Sequence, residues 1–175
     1  MESAMDIVST LRRYDGKRVA PFREVLGAIE DAPASVVDEL LDLAASDETA
    51  LQVGATWVLK HLAERGTAPH GPQSERLLRL LGRPLAPDAL LHVLQALPHI
   101  EVESALQAAL RDALLTLIKS RRTFIRAWAY NGLGILAARD PALRHEVLAL
   151  FDDAVGSEAA AVRARIRLVR ATIPN

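Results

Sequence analysis

Apolar positions along this chain recur at intervals of three and four residues rather than two. Between residues 34 and 45, Val36, Val37, Leu40, Leu41 and Ala44 fall on one side of a helical wheel and Asp38, Glu39 and Asp42 on the other, which is the pattern of a helix buried along one stripe. A second stripe, Leu51, Ala55, Val58, Leu59 and Leu62, follows Asp47, a residue suited to cap a helix, and stops at Gly66, a residue suited to end one. The segment GTAPHGP at 66–72 is the longest loop signal, and helices are expected to resume near Ser74. Pro87 and Pro141 each stand where a first helical turn is expected, preceded by Ala86 and by the capping residue Asp140. Alternating runs do not extend beyond four or five positions, so the pattern predicts an all-α chain.

The helices come in pairs, and the pairs repeat. In the second helix of each pair an apolar residue is followed by a small or apolar one four positions later and another four after that: Leu51, Ala55, Leu59, then Ala89, Val93, Leu97, then Ile125, Ala129, Leu133. A fourth series begins Val162, Ile166 and breaks at Arg170. The four starts are 38, 36 and 37 residues apart, a period diagnostic of stacked helical repeats, in which each unit buries its apolar face against the next. The stretches LLDLAASDETALQVGATWVLKHL and LLTLIKSRRTFIRAWAYNGLGIL resemble HEAT repeats, whose second helix often opens on an apolar residue followed by Arg. Ile125-Arg126 and Val162-Arg163 match that opening, whereas Leu51-Gln52 and Ala89-Leu90 depart from it. The resemblance implies a right-handed α/α superhelix of about five antiparallel pairs in one domain over 1–175. A degenerate N-terminal pair is expected at 5–31, with repeats at 34–66, 73–100, 102–139 and 141–172. Terminal repeats of such stacks are expected to be atypical.

Counting each second helix from its first apolar position as offset 0, offsets 4, 7, 8 and 11 continue the buried stripe, and offsets 5, 6, 9 and 10 point away from it. In proteins similar to this one the second helices line a concave side, which makes Thr56, Trp57, Lys60, His61, Leu94, Gln95, His99, Tyr130, Asn131, Arg167 and Leu168 the ligand candidates. Trp57, Lys60, His61, Gln95, Tyr130 and Asn131 form the expected binding set. The alternative for Trp57 and Tyr130 is packing between adjacent repeats. Trp128 sits at offset 3, where Gly54, His92 and Arg165 are its equivalents, and reads as a ring filling a gap left by small neighbours.

Composition narrows the chemistry. Ala and Leu supply 58 of 175 residues, consistent with helices throughout. The absence of cysteine removes disulfide frameworks, thiolate metal sites and a cysteine nucleophile. Without a long apolar run or a signal-like N-terminus, the chain reads as a soluble cytoplasmic protein. Gly132, Gly134 and Ala137 spell G-x-G-x-x-A, but inside an amphipathic helix rather than after a strand, so they are expected to allow close helix approach rather than to cradle a nucleotide. The acids Asp38, Glu39 and Asp42, and the pair Asp152-Asp153, lie opposite apolar stripes, as solvated acids do. No P-loop, G-x-S-x-G or H-E-x-x-H occurs, and neither catalysis nor a cofactor is expected.

Charge is polarised although the net value is only −1. Residues 1–110 hold ten basic and sixteen acidic side chains, and residues 111–175 hold eleven and six. The excess lies in Lys119, Arg121, Arg122, Arg126, Arg163, Arg165, Arg167 and Arg170. Arg126 and Arg163 share offset 1, and the HEAT resemblance implies a stacked ladder with acids of the preceding turns. As a patch, Lys119, Arg121, Arg122, Arg126, Arg163, Arg167 and Arg170 suit an acidic protein or peptide, or else nucleic acid. The leading expectation is a non-enzymatic scaffold that recognises a protein or peptide on its concave helical face. The alternative is a nucleic-acid-binding repeat protein of the DNA glycosylase kind, for which Glu64 is the nearest acid to the aromatics.

Overall fold

The computed structural model describes residues 5–29 and 31–174. Among these, ten α-helices and three short 3-10 turns form the structure and no strand occurs. The helices are α1 (Ile7–Arg12), α2 (Ala20–Ala28), α3 (Ala34–Ala44), α4 (Thr49–Glu64), α5 (Pro72–Arg79), α6 (Pro87–Ala96), α7 (Ser104–Leu117), α8 (Thr123–Arg139), α9 (Arg144–Ser157) and α10 (Ala160–Arg170). They cluster into two compact units, 1–101 and 102–175, divided at the junction between the expected repeats 73–100 and 102–139.

In the first unit α4 is the hub. Helices α1, α2, α3 and α6 all pack on it, and α5 packs on α3. From Leu51 to Ala63 every α4 residue is buried except Trp57, Lys60 and His61. Gly54 permits this enclosure: a Cβ there would stand 2.7 Å from Phe22 Cε1 and 2.8 Å from Leu11 Cδ2. In the second unit α8 packs on α7, α9 and α10. Gly134 has the corresponding function, since a Cβ there would stand 2.5 Å from Val169 Cγ2 and 3.2 Å from Phe151 Cζ.

The buried stripe follows the register read from the sequence. Leu51, Ala55, Val58, Leu59 and Leu62, then Ala89, Val93, Ala96, Leu97 and Ile100, then Ile125, Ala129, Leu133 and Leu136 are all core, as are Val162, Ile166, Val169 and Ile173 of the last helix. Arg170, which breaks the final series, is exposed. Helix α4 ends at Gly66, whose φ is +69°. Gly66 N–H donates to Ala63 O (2.9 Å) and Thr67 N–H to Leu62 O (3.0 Å), the paired bonds of a Schellman stop. Pro87 and Pro141 open helical turns as expected, and the Asp140 carboxylate accepts from Ala142 N–H.

Two boundaries differ from expectation. Asp47 does not cap α4; Glu48 occupies that position without a side-chain cap bond, because its carboxylate is held by the Arg12 guanidinium at 3.0–3.2 Å. Helix α5 begins at Pro72 rather than Ser74. Ser74 is buried in its first turn, where its hydroxyl donates to Pro69 O (3.0 Å).

Offset 1 carries a polar clamp. Gln52 Nε2 donates to Ser46 O (3.0 Å) while its Oε1 accepts from Ala86 N–H at the entrance to α6. Arg126 repeats the device, donating to Ser120 O (3.0 Å) and to both carboxylate oxygens of Glu158, just before α10. Arg163 donates to Glu158 O (2.8 Å). Each side chain thereby satisfies carbonyls or amides of turns that helices alone leave unpaired. At the same offset α6 carries Leu90, which has no group able to do this.

Candidate binding surface

The open side of the second helices runs through offsets −1, 3, 6 and 10, one turn apart, although Gly54 and Asn131 on it are buried. In α4 these positions hold Ala50, Gly54, Trp57 and His61, continued by Glu64, and in α6 Asp88, His92, Gln95 and His99. In α8 they hold Phe124, Trp128, Asn131 and Ile135, and in α10 Ala161, Arg165, Leu168 and Thr172.

In the first unit this surface is an aromatic and imidazole row. Tyr14 and Phe22 have ring centroids 4.6 Å apart, Phe22 and Trp57 5.9 Å, and Trp57 and His61 3.7 Å. His61 Nδ1–H donates to the Trp57 carbonyl (2.9 Å), which locks the ring over the indole, and its Nε2 faces Glu64 at 3.9 Å. Lys60, only 16 % exposed at its side chain, reaches Glu64 at 3.5 Å. Trp57, Lys60, His61 and Gln95 are all half-buried. His92 lies beside them, its Nδ1 3.1 Å from Thr56 Oγ1. Burial, reinforced by the nearby Lys60 and His61 charges, lowers its pKa from the usual 6.5 to about 4, so the ring is neutral at pH 7.

In α4, α6 and α8 offset 5 does not face outward, contrary to expectation, whereas Arg167 at the same offset of α10 is exposed. Thr56 is 1 % exposed, Leu94 fully buried and Tyr130 7 % exposed. Thr56 bonds its own helix and His92 of α6, while Tyr130 meets the ring edge of Phe151 at 6.2 Å. Burial raises the Tyr130 hydroxyl above the usual tyrosine range. Asn131 is also only 7 % exposed. Tyr130 and Asn131 therefore belong to the packing of α8 rather than to an accessible surface.

Trp128 is half-buried on α8, as Trp57 is on α4, and the Arg165 guanidinium of α10 lies 4.1 Å over its ring. Phe124, one turn before it, is 66 % exposed, and Leu168, one turn after Arg165, is 63 % exposed. Of these four residues the helical register points only to Leu168, while the size of its equivalents makes Trp128 read as a gap-filling ring. The usable signal was the four-residue spacing of Phe124 and Trp128.

The expected basic patch divides in two. Arg126 pairs with Glu158 at 3.0 Å, with side chains 19 % and 12 % exposed. Arg163 bonds a carbonyl, and Arg170 pairs with Asp152 of α9 at 2.7 Å. These three belong to structure. Lys119, Arg121, Arg122 and Arg167 are exposed, and no carboxylate among the described residues pairs with them. The acids on the first helices are likewise engaged: Asp38 and Asp42 of α3 hold Arg76 of α5 at 2.8 and 2.7 Å.

A separate cleft of about 390 Å³ in the second unit is lined by Ser104, Gln107, Arg111, Asp140, Leu143 and Glu146, among others. Its charges are satisfied internally, Arg111 by Glu146 and Asp112, and Asp140 by its capping bond. Among the described residues no group of three or more His, Asp or Glu is placed to hold a metal ion, and no helix is long and apolar enough to cross a membrane. Comparison with known proteins adds no relative: no protein-family model matches the chain, nor does any curated protein or solved structure.

Proposed function

We propose that the chain is a HEAT-like helical-repeat binding module without catalytic activity, a right-handed stack of about five helix pairs that recognises a protein or peptide through the open side of its second helices. The observation that carries this reading is the recurrence, at offsets −1, 3, 6 and 10, of exposed or half-buried aromatic, imidazole, amide and cationic side chains (Trp57, His61, Gln95, Phe124, Trp128 and Arg165) beside the buried stripe of the same helices. Residues of this kind in a rigid, partly desolvated setting are the usual anchors of protein interfaces. A cytoplasmic setting accords with the cysteine-free sequence. Support for a glycosylase-like reading is weaker, because Glu64 ends its helix in contact with Lys60 and His61 and three of the seven patch cations bond within the chain.

The test is selection of an unbiased displayed peptide library on the immobilised full chain. Enrichment of a peptide family that is lost when the stripe is altered (Trp57→Ala in one unit, Trp128→Ala in the other) is the expected result. Absence of any enriched family, or excision of damaged bases from duplex DNA by the protein, would overturn the reading.

A further inference from the structure

We propose that the α8–α10 face of the second unit docks an acidic peptide segment bearing apolar side chains, with its carboxylates on Arg165 and the Lys119–Arg122 turn and its apolar groups over Phe124 and Leu168. This rests on the binding-module reading and narrows it to one face and one class of partner.

Three observations converge there. Phe124 and Leu168 are two of the three large hydrophobic residues exposed among the described residues, at 66 % and 63 %. They extend the Trp128–Arg165 contact at each end, because Phe124 precedes Trp128 by four residues and Leu168 follows Arg165 by three on two helices packed against each other. The second observation is the state of Arg165. Its guanidinium lies over the indole ring, a contact that uses its face and leaves in-plane N–H donors that suit a carboxylate edge-on. No carboxylate among the described residues takes them.

The third is charge. The second unit has eleven basic and seven acidic side chains, and the acids are largely committed: Asp112 and Glu146 to Arg111, Glu158 to Arg126, Asp152 to Arg170, and Asp140 to its cap. The surplus is therefore displayed on Lys119, Arg121, Arg122, Arg165 and Arg167, the first three beside Phe124 in sequence. Nucleic acid is the poorer fit. Arg165 already covers one face of Trp128, Leu168 offers no stacking surface of the kind bases use, and Arg126, Arg163 and Arg170 are occupied. An amphipathic acidic segment answers both features, since apolar groups at i, i+3 and i+4 would cover Phe124 and Leu168 while its acids meet the flanking cations.

The experiment is fluorescence anisotropy of dye-labelled probes titrated with the full chain. The probes are a peptide of about sixteen residues with Glu on one face and Leu and Phe at i, i+3 and i+4 on the other, its Glu→Gln counterpart, polyglutamate of the same length, and oligothymidylate. The Glu-Leu-Phe peptide is expected to bind saturably and to weaken with salt. About a tenfold loss is expected for the Gln counterpart and for the variants Leu168→Glu and Arg121→Glu/Arg122→Glu, all at exposed positions where circular dichroism should be unchanged. The proposal is overturned by no binding of that peptide, by binding that Leu168→Glu leaves intact, by equal affinity for polyglutamate or oligothymidylate, or by self-association that blocks the same face. Library peptides that depend on Trp57 but not on Leu168 would leave the binding-module reading standing while this inference fell; no enriched peptide at all would remove both.

Discussion

Helices α4 and α8, one in each unit, bury a common stripe, offsets 0, 4, 7, 8 and 11, and differ on the side away from it. Offset 3 is glycine in α4 and tryptophan in α8. Gly54 admits Leu11 and Phe22 against the helix, so the aromatics of the first unit run from Tyr14 through Phe22 and Trp57 to His61 as an outcrop of the core. At Trp128 the indole stays at the surface and draws Arg165 across from α10. Phe124, Val155 and Leu168, the large hydrophobics left open among the described residues, all belong to the second unit. At offset 3 the side chain differs in kind: a glycine lets neighbouring aromatics close on α4, and a tryptophan on α8 is covered by a cation instead.

The comparison breaks most severely if the shared stripe fails. Leu59→Ala in the first unit and Leu133→Ala in the second remove side chains that are 0 % and 1 % exposed, and each should lower stability by about 2–5 kcal/mol in urea unfolding, through lost transfer free energy and the cavity left behind. A loss below about 1 kcal/mol at either site would mean that its unit is not packed around that helix.

Next in size are the glycines that set the close approaches. Gly134→Ala places a methyl against both Val169 γ-carbons at 2.5 and 2.8 Å, atoms near the backbone with little room to turn. A cost of about 1–3 kcal/mol is expected from overpacking, exceeding the roughly 1 kcal/mol that Ala gains over Gly in a helix. Gly54→Ala meets the far ends of Phe22 and Leu11, which can swing, so its cost should be smaller. Gly27→Ala, with nothing within 4 Å, should be neutral or stabilising in the same melts.

The stripe and the two close-packed glycines differ in how visible they are in the sequence. Periodicity exposes the buried positions because each core helix needs the same 3–4 spacing whatever its partner, which is why Leu51 to Leu62 and Ile125 to Leu136 were readable. Gly134 was legible as a small residue in a helix. The open face was less so. A helical wheel separates inside from outside but not solvent from the flank of a neighbouring helix, and Thr56, Leu94 and Tyr130 lie on that flank. The basic patch divides for a related reason: Arg126 and Arg170 meet Glu158 and Asp152 across helices, pairings that spacing along one helix does not contain. The Arg126 ladder was anticipated; its acid, Glu158, comes after it in the chain rather than before.

A pH titration sharpens the comparison in the first unit alone. His92 is held neutral, its pKa lowered from 6.5 to about 4 by burial, with Lys60 and His61 adding in the same direction. The unfolded chain therefore takes up a proton near pH 6.5 that the folded state refuses until about pH 4. Its contribution to stability is complete above pH 6.5 and is lost as the pH falls through that window. Between pH 7.5 and 5 the loss should be about 2 kcal/mol, and His92→Gln, which keeps a donor for Thr56 and cannot charge, should flatten the dependence. An unchanged slope in that variant would assign the acid sensitivity elsewhere.

The smallest effect separates the two tryptophans. Trp57 is stacked by His61 from its own helix, one turn on, and pinned by a bond to its own carbonyl. Trp128 is covered by a cation from another helix. Arg165→Ala should therefore uncouple α8 from α10 at one surface contact, at a cost of only about 0.5–1 kcal/mol as for exposed cation–π pairs, and should shift the emission of Trp128 toward the red by admitting water to its ring. Arg165→Lys should recover part of the stability but not the planar cover, since an ammonium is a compact point charge on a flexible stem. Trp57→Ala, by contrast, removes a half-buried ring against Phe22 and should cost more than Arg165→Ala but less than Leu59→Ala. If Arg165→Ala instead destabilised as much as Leu133→Ala, the contact would be part of the core, and the second unit would be closed over its aromatics as the first one is.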